Sequence, residues 1–299
     1  MQDKSYYEGK NAVITGAASG FGLGITEQLL TRGAAGVWMG DYDDKQLAQE
    51  AARLETCFPG KVHYKHCDCT KKDDVFALIK NAAEEGEHLD FVFNNAGRPM
   101  TYPFTHLDIS QFERLVQLNF LGVFYGTMAA VQIMEKQGYG HVVNTASCGG
   151  LLPAPYQAAY ASTKAAVIAM TRSLDMEYAD TNIRFTELSP MNVVSNIFKA
   201  QLLETMRAQG KSEAEIDNMV KDIKPPSNAM PMDEALDYIF AKLPNHEVDI
   251  IFGQDGRDAY KLMCTDYGAF KEKMSEVGAK RKKYYQAYFK GEDPGPFPG

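Results

Sequence analysis

Short apolar runs alternate with amphipathic segments along most of the chain. The apolar runs are rich in β-branched and aromatic residues and predict strands at 11–15, 36–40, 61–67, 89–93, 141–146, 182–187 and 248–252. The segments between them place apolar residues at helical spacing and predict helices at 23–31, 44–55, 73–84, 112–134 and 158–178. Strands that alternate with helices predict an α/β fold, in which a parallel sheet is covered by helices on both faces.

A glycine-rich loop follows the first predicted strand. Residues 16–22 read Gly-Ala-Ala-Ser-Gly-Phe-Gly and run directly into a predicted helix. This order of strand, loop and helix lets backbone N–H groups and a helix N-terminus approach a pyrophosphate. Asp41 ends the second predicted strand, where an acidic residue accepts the ribose hydroxyls of a dinucleotide and repels a 2′-phosphate. Because neither Ser19 nor Tyr42 supplies a positive charge, we predict NAD(H) rather than NADP(H) as the cofactor.

Two further strand ends carry candidate cofactor contacts. Asp68 follows the third predicted strand, where it could accept a hydrogen bond from an adenine amino group, although an ordinary turn aspartate is the alternative. The fourth predicted strand runs into residues 94–97, Asn-Asn-Ala-Gly, which are small and polar. Such residues allow a flat cofactor to pass close to the backbone.

Candidate catalytic side chains lie at the end of the fifth predicted strand and on the helix that follows. Ser147 ends the strand, and Tyr160 and Lys164, four residues apart, share one face of the helix. An ammonium beside a phenol favours the phenolate and lowers the tyrosine pKa from its usual value of about 10. Such a shift makes tyrosine a better acid and base at working pH, although the pair taken alone is also typical of a solvated helix face.

Composition excludes several other classes of function. The chain has 299 residues, of which 45% are hydrophobic, and carries a net charge of −8, which argues against a binder of nucleic-acid backbones. The basic run at 280–283 is therefore interpreted as a solvated helix face. No apolar stretch reaches the ~20 residues of a membrane span, and the polar residues 1–5 predict no signal peptide. Five cysteines without metal-ligand spacing predict reduced thiols, no metal site and a cytoplasmic protein.

Taken together, these motifs resemble those of the short-chain dehydrogenase/reductase family. Residues 15–22 resemble its Thr-Gly-x-x-x-Gly-x-Gly cofactor loop, and residues 94–97 match its Asn-Asn-Ala-Gly motif. Four residues match its catalytic tetrad in order and spacing: Asn119, Ser147, Tyr160 and Lys164. The resemblance covers about residues 8–253 and implies a doubly wound Rossmann fold with seven parallel strands, a nicotinamide cofactor and a dimer or tetramer.

The resemblance also implies a role for each member of the tetrad. Tyr160 exchanges a proton with the substrate oxygen, and Lys164 lowers the pKa of Tyr160 and binds the nicotinamide ribose. Ser147 holds the substrate oxygen, and Asn119 positions a water that links Lys164 to solvent. The residues expected to contact the cofactor are Gly16, Ser19, Gly20, Phe21, Gly22, Asp41, Tyr42, Asp68, Cys69, Asn95, Ala96, Gly97, Tyr160, Lys164, Pro190, Val193 and Ser195.

The chain departs from the family pattern in two places. The family's Pro-Gly after the sixth strand reads Pro190-Met191, so Met191 is expected beside the nicotinamide ring, narrowing the site or lining the substrate pocket. The usual glycine-rich ending is replaced by residues 253–257 and a further tail. We therefore expect one domain over 1–256, with a long substrate lid at about 196–230, and a C-terminal extension over 257–299.

The segments expected to surround the substrate are apolar and rich in methionine and aromatic residues. The lid carries an apolar stripe at helical spacing between Ile197 and Met206, a pattern that is more typical of core packing than of a ligand surface. We predict a bulky hydrophobic secondary alcohol or ketone, such as a steroid, bile acid or polyphenol. A small charged hydroxy acid fits poorly, because Arg98 alone offers a cation. The tail aromatics Tyr284, Tyr285, Tyr288 and Phe289 are expected to pack on the domain or on a neighbouring subunit.

Two other functions share these features. A 3-oxoacyl-thioester reductase has the same tetrad but usually uses NADPH, which Asp41 disfavours. A non-catalytic dinucleotide sensor or scaffold would use the same fold, but it has no need to keep Ser147 and Tyr160 aligned with Lys164. The favoured interpretation is an NAD-dependent alcohol/ketone oxidoreductase, with a small-molecule substrate and no membrane or nucleic-acid partner.

Overall fold

The computed structural model describes residues 6–194, 212, 229–292, 294–295 and 297–298. Within these residues, seven strands form one parallel sheet in the order β3-β2-β1-β4-β5-β6-β7. The strands are β1 Asn11–Thr15, β2 Gly36–Asp41, β3 Val62–His66, β4 Phe91–Asn94, β5 Gly140–Thr145, β6 Ile183–Pro190 and β7 Asp249–Phe252. The predicted doubly wound Rossmann fold with seven parallel strands is therefore confirmed.

Helices follow most of the strands and cover both faces of the sheet. Among the described residues they are α1 Gly20–Thr31, α2 Asp44–Cys57, α3 Lys72–Glu85, α4 Ile109–Val116, α5 Gly122–Gln137, α6 Cys148–Leu151, α7 Ala158–Glu177, α8 Met232–Lys242, α9 Gln254–Thr265 and α10 Tyr267–Phe289. Short 3-10 turns lie at Phe104–His106 and Leu243–Asn245.

Alternation along the strands divides the core into two layers. Ala12 and Ile14 of β1 are fully buried in the layer that contains α1, α2 and α8, whereas Val13 is buried in the layer of α3 and α5. Each successive side chain of a strand points to the opposite face, so a strand covered on both sides has no polar face. That is why β1 is buried at every position and reads as a continuous apolar run.

The strand order reverses direction between β1 and β4, which pair in parallel. In open parallel sheets, such a reversal leaves a crevice beyond the carboxyl ends of the two strands, because their connections leave toward opposite faces. The glycine loop leaves β1 at this point, and residues 95–97 leave β4. The fold therefore brings the two predicted cofactor motifs to one edge of the sheet.

The prediction of one continuous helix over 112–134 is wrong. The helical stretch extends from Ile109 to Gln137 and consists of α4, a π-helical segment over Gln117–Leu121, and α5. A Cβ on Gly122 would lie 2.7 Å from the carbonyl oxygen of Cys69, so glycine lets the widened turn pack closely against that neighbour. A π-helical turn holds one extra residue and is common at functional sites. Here it carries Asn119.

One described helical stretch, Ile109–Gln137, is long and apolar enough to cross a membrane by length and composition. One such helix is weak evidence for a membrane span. In the most apolar 18-residue window of this stretch, 39% is buried inside the protein, and α5 packs against α3 and the sheet. The core helix of a soluble protein has the same length and composition.

Almost all of the predicted lid, together with Ser195, lies outside the described residues. The C-terminal extension beyond it is described and packs on the sheet domain. α9 and α10 share a hydrophobic cluster with α6 and α7, in which Phe270 is buried together with Cys148 and Val167. This packing brings the end of the chain to the edge of the sheet where the predicted catalytic residues lie.

Candidate active site

The glycine loop between β1 and α1 is shaped to receive a phosphate group. Gly16 and Gly20 have φ angles of +67° and +54°, which side chains other than glycine rarely adopt. A Cβ on Gly22 would overlap the carbonyl oxygen of Gly16, whereas the space beside Gly20 is open for 4 Å. The loop thus exposes backbone N–H groups at the start of α1, where the helix dipole favours an anion. These residues fit the pyrophosphate of a dinucleotide.

Two carboxylates border the cleft next to this loop. Asp41 accepts hydrogen bonds of 3.0 Å from the backbone N–H groups of Ala18 and Asp43, so it braces the glycine loop from the end of β2. Asp68 accepts hydrogen bonds from the backbone and hydroxyl of Thr70, at 3.0 and 2.7 Å. Burial raises the pKa of Asp68, but the hydrogen bonds from Thr70 outweigh burial and lower it. Both groups are hydrogen-bond acceptors that line the same cleft.

Asn95 joins the ends of β1 and β4. Its backbone N–H donates to the Thr15 hydroxyl at 3.0 Å, and its side-chain amide donates to the Thr15 carbonyl at 3.1 Å. Behind the next turn, a Cβ on Gly97 would lie 3.2 Å from Asn119 Oδ1 and 3.3 Å from Lys164 Nζ. The small residues predicted here are thus needed for close packing of the floor of the cleft.

Ser147 and Tyr160 meet in the cleft. Ser147 follows β5 and caps α6, where its Oγ accepts a 3.0 Å hydrogen bond from Gly149 N. Tyr160 lies in the first turn of α7, and its side chain lines the same cleft as Ser147. A Cβ on Gly149 would lie 3.1 Å from the Tyr160 ring, so glycine permits the two hydroxyls to approach.

Lys164 is buried in the same cleft. Its side chain is 3% exposed and donates a 2.7 Å hydrogen bond to the carbonyl oxygen of Thr145. Burial lowers the pKa of Lys164 to about 8. Burial also raises the pKa of Tyr160, although the Ser147 hydroxyl lowers it. The lowering of this pKa by the Lys164 ammonium stays a prediction.

Asn119 clamps the chain that leaves β4. Its Oδ1 accepts from Arg98 N at 2.9 Å, and its Nδ2 donates to Arg98 O at 2.8 Å and to the Thr163 hydroxyl at 3.3 Å. The side chain is fully buried behind Gly97. The structure therefore gives Asn119 a positioning contact with the floor of the cleft, and its water-holding role stays a prediction.

One cleft of ≈ 890 Å³ collects most of the predicted site. The predicted residues that line it are Gly16, Ser19, Gly20, Phe21, Asp41, Tyr42, Asp68, Cys69, Asn95, Ala96, Gly97, Ser147, Tyr160, Lys164, Pro190 and Val193. Gly22 and Asn119 lie behind this surface, in the loop and in the π-helical turn. Met191 also lines the cleft, where its side chain packs on Gly253 and Gly256.

A wall of the cleft comes from α10, which sequence reasoning missed. Phe270, Met274, Val277 and Arg281 line it, and they form one helical stripe. Arg281 is 6% exposed, so the interpretation of run 280–283 as a solvated face is wrong at this position. Burial lowers the pKa of Arg281. The helical spacing of residues 270, 274, 277, 281 and 285 could have indicated that position 281 is buried, because it continues an apolar helix face through the basic run.

A protein-family model and several known proteins are similar to this chain. The model of the short chain dehydrogenase family matches residues 10–205. The chain belongs to the short-chain dehydrogenase family. This short-chain dehydrogenase is 35% identical over 191 residues to 3beta-hydroxysteroid dehydrogenase 2 of Eggerthella lenta, with 63% of the chain and 73% of the relative covered. The chain is therefore an oxidoreductase that acts on CH–OH groups.

Solved structures agree with this assignment. A short-chain dehydrogenase/reductase of Burkholderia phymatum in complex with NAD has a TM-score of 0.76 and 25% identity, covering 88% of this chain and 95% of that one. An alcohol dehydrogenase of Thermococcus sibiricus complexed with 5-hydroxy-NADP has a TM-score of 0.68 and 25% identity, covering 81% and 95%. These two neighbours bind different forms of the nicotinamide cofactor.

Proposed function

We propose that this short-chain dehydrogenase interconverts a secondary alcohol and a ketone with NAD(H), on a bulky and largely apolar substrate. The observation that supports the proposal best is the meeting of Ser147 and Tyr160 in a cleft that also contains the glycine loop. A hydroxyl that can donate and accept a proton thus lies in the same cleft as a loop suited to binding a dinucleotide. A non-catalytic scaffold gains nothing from this alignment.

The residues of the chain divide the reaction between them. In the oxidation direction, Tyr160 takes the hydroxyl proton of the substrate, and Ser147 donates a hydrogen bond to the same oxygen. Lys164 holds a positive charge 2.7 Å from the Thr145 carbonyl, near the end of β5. NAD⁺, when bound, supplies the hydride acceptor. Aligned donors in a site with little water stabilise the charge that develops on the oxygen, since they need no reorganisation.

The carboxylate of Asp41 favours NAD(H) over NADP(H). It lies beside the glycine loop at the carboxyl end of β2, where an adenine ribose binds in this fold. Asp68 adds a second acidic group to the same end of the cleft. A 2′-phosphate there would meet two negative charges, whereas ribose hydroxyls can donate to Asp41.

The substrate class is inferred from the side chains that line the cleft. Five large apolar side chains line the cleft: Leu152, Met191, Phe270, Met274 and Val277. Apolar walls bind a large apolar body by removing its surface from water. The similarity to a 3beta-hydroxysteroid dehydrogenase supports a substrate of that size. Assembly into a dimer or tetramer and a cytoplasmic location remain predictions.

A cofactor and substrate screen tests the proposal. The purified chain is incubated with NAD⁺ or NADP⁺ and a panel of hydroxysteroids, bile acids, flavonoids and simple alcohols, and the reverse reactions are run with NADH and the ketones. We expect absorbance changes at the nicotinamide band with NAD(H) and bulky substrates. Ser147→Ala serves as the control for background turnover. Activity confined to small polar alcohols would reject the substrate class, and failure to bind either dinucleotide would reject the proposed function.

A further inference from the structure

The C-terminal helix α10 places a guanidinium in the wall of the active-site cleft. Arg281 lies on the same face of α10 as Met274 and Val277 and is 6% exposed. Its Nη1 donates a 2.6 Å hydrogen bond to the carbonyl of Pro155. Pro155 belongs to the loop that connects Ser147 and Tyr160 in sequence. Arg281 is thus fixed to the segment that carries the predicted catalytic hydroxyls.

The contacts of Arg281 involve uncharged groups. Besides the Pro155 carbonyl, its Nε donates to the carbonyl of Pro298 at 3.3 Å, and the guanidinium lies 5.4 Å from the centre of the Phe297 ring. A guanidinium has five N–H donors, so these contacts leave donors unused. The carbonyls and the ring hold the group in place without neutralising it.

No carboxylate among the described residues forms an ion pair with Arg281. Arg32, which is also well buried, lies 3.3 Å from Asp237. A buried charge without a counter-charge is costly, and proteins usually pair it or shift its pKa. Arginine keeps its proton under all ordinary conditions. A bound anion would supply the missing charge and use the remaining donors.

We infer that Arg281 recognises a carboxylate on the substrate, at a point remote from the carbon that is oxidised. The inference rests on the proposed function and narrows its substrate class to an apolar secondary alcohol or ketone that also bears a carboxylate. The planar fork of a guanidinium matches a carboxylate through two parallel hydrogen bonds. Neutral molecules of the same shape leave the charge unpaired and bind less tightly.

The layout of α10 fits such an amphipathic substrate. Phe270, Met274 and Val277 precede Arg281 on one stripe, and 11 residues of helix rise by about 16 Å. The stripe therefore offers a long apolar surface that ends in a cation. The expectation that Arg98 alone offers a cation is corrected by this arrangement, since Arg281 also lines the cleft.

Binding titrations on the full chain test the inference without requiring turnover. Dissociation constants are measured by calorimetry, with and without NADH, for two matched pairs of probes: deoxycholate and its primary amide, and 4-phenylbutyrate and its primary amide. We expect the wild-type protein to bind at least one acid about 10- to 100-fold more tightly than its amide. In Arg281→Gln this preference disappears, because the acid binds more weakly while the amide binds as before. Arg281→Lys retains part of the preference.

Two further variants separate recognition from structure. Lys282→Gln removes a charge from the exposed neighbour and should keep the preference for the acid. Tyr285→Phe removes the 2.6 Å hydrogen bond from Tyr285 to the Thr101 carbonyl, which docks α10 without involving a charge. It should weaken acid and amide equally, if at all. Equal affinities for acid and amide in both pairs, or equal losses for both in Arg281→Gln, would overturn the inference. Failure of NADH to bind would instead reject the proposed function.

Discussion

Lys164 donates a 2.7 Å hydrogen bond to the carbonyl oxygen of Thr145, two residues before Ser147. The ammonium is therefore buried against a neutral acceptor. Burial lowers the pKa of Lys164 from 10.5 to about 8, so between these values the unfolded chain binds more protons than the folded one. Below pH 8 the folded protein bears the full cost of the buried charge. Stability contributed by this site rises with pH from about 8 to 10.5.

Lys164→Met should therefore be more stable than the wild-type protein at pH 7, by about 1–3 kcal/mol. The advantage should shrink as pH rises from 8 toward 10.5, and turnover should be lost. Urea unfolding at several pH values measures the difference, with the exposed Lys282→Met as control. A variant that is less stable at pH 7, by an amount that does not change with pH, would contradict the burial argument.

His141 should make the protein sensitive to acid. Its Nε2 lies 2.9 Å from the Thr186 hydroxyl, which donates to Glu247 O, so this hydroxyl must accept from Nε2–H. Nδ1 is then the acceptor for the Tyr6 hydroxyl at 3.0 Å. Burial, with smaller repulsion from His246 and Arg184, lowers the pKa of His141 to about 3.

Because the folded pKa of His141 lies below its unfolded value, stability is present above pH 6.5 and is lost as pH falls toward 3. We expect the stability of the wild-type protein relative to His141→Gln to fall by as much as about 4 kcal/mol over this range. Unfolding free energies at pH 7, 6, 5 and 4 measure the change. The exposed His106→Gln should follow the wild-type curve. Parallel curves for the wild-type protein and His141→Gln would show that this histidine does not titrate on unfolding.

Asp41→Asn should weaken the preference for NAD(H). The amide oxygen can still accept the hydrogen bond from Ala18 N, so the glycine loop keeps its support while the charge is lost. The hydrogen bond from Asp43 N, on the exposed side, is lost with the second carboxylate oxygen. We expect the ratio of kcat/KM for NAD(H) over NADP(H) to fall about 10- to 100-fold. Asp44→Asn, an equal loss of charge on an exposed neighbour, should change the ratio little. An unchanged ratio in Asp41→Asn would mean that a group other than Asp41 determines the preference between the ribose hydroxyls and the 2′-phosphate.

Met191 and Gly256 should show energetic coupling. A Cβ on Gly256 would lie 3.2 Å from Met191 Cβ, so the bulk after β6 is accommodated by glycine in α9. Gly256→Ala should cost about 1–2 kcal/mol in the wild-type background and about 1 kcal/mol less in Met191→Gly, which removes the crowding Cβ. The 3.0 Å contact of the added methyl group with Cys148 Sγ is the same in both backgrounds. The helix propensity of alanine cancels, since it acts in both backgrounds. A double-mutant cycle of unfolding free energies measures the coupling. Equal costs in both backgrounds would show that glycine at position 256 does not compensate for Met191 in place of the family's glycine.

The sequence was sufficient for the sheet and for most of the cleft. Buried parallel strands such as β1 are apolar at nearly every position, and each strand end that carries a motif faces the same edge. Local spacing could not predict the π-helical turn at Asn119, because the extra residue is stabilised by contacts with Arg98 and Thr163. Those partners lie 21 and 44 residues away in sequence.

Electrostatics were predicted less well than positions. The four-residue spacing of Tyr160 and Lys164 is correct, but spacing does not reveal how far each group is buried, and burial governs both pKa values. Arg281 was misjudged for a similar reason, since its neighbours Lys280 and Lys282 are exposed. One buried position inside a basic run becomes visible only when the apolar stripe of α10 is followed through it.

In the proposed reaction, Tyr160 moves the proton. Single-turnover and steady-state rates of Tyr160→Phe, with NADH affinity measured on the same samples, test it most directly. Tyr156→Phe, which removes a hydroxyl from the adjoining loop, is the control and should keep normal rates. We predict that Tyr160→Phe loses about 10²- to 10⁴-fold in kcat while binding NADH as the wild-type protein does. A kcat within a few-fold of wild type would contradict the account.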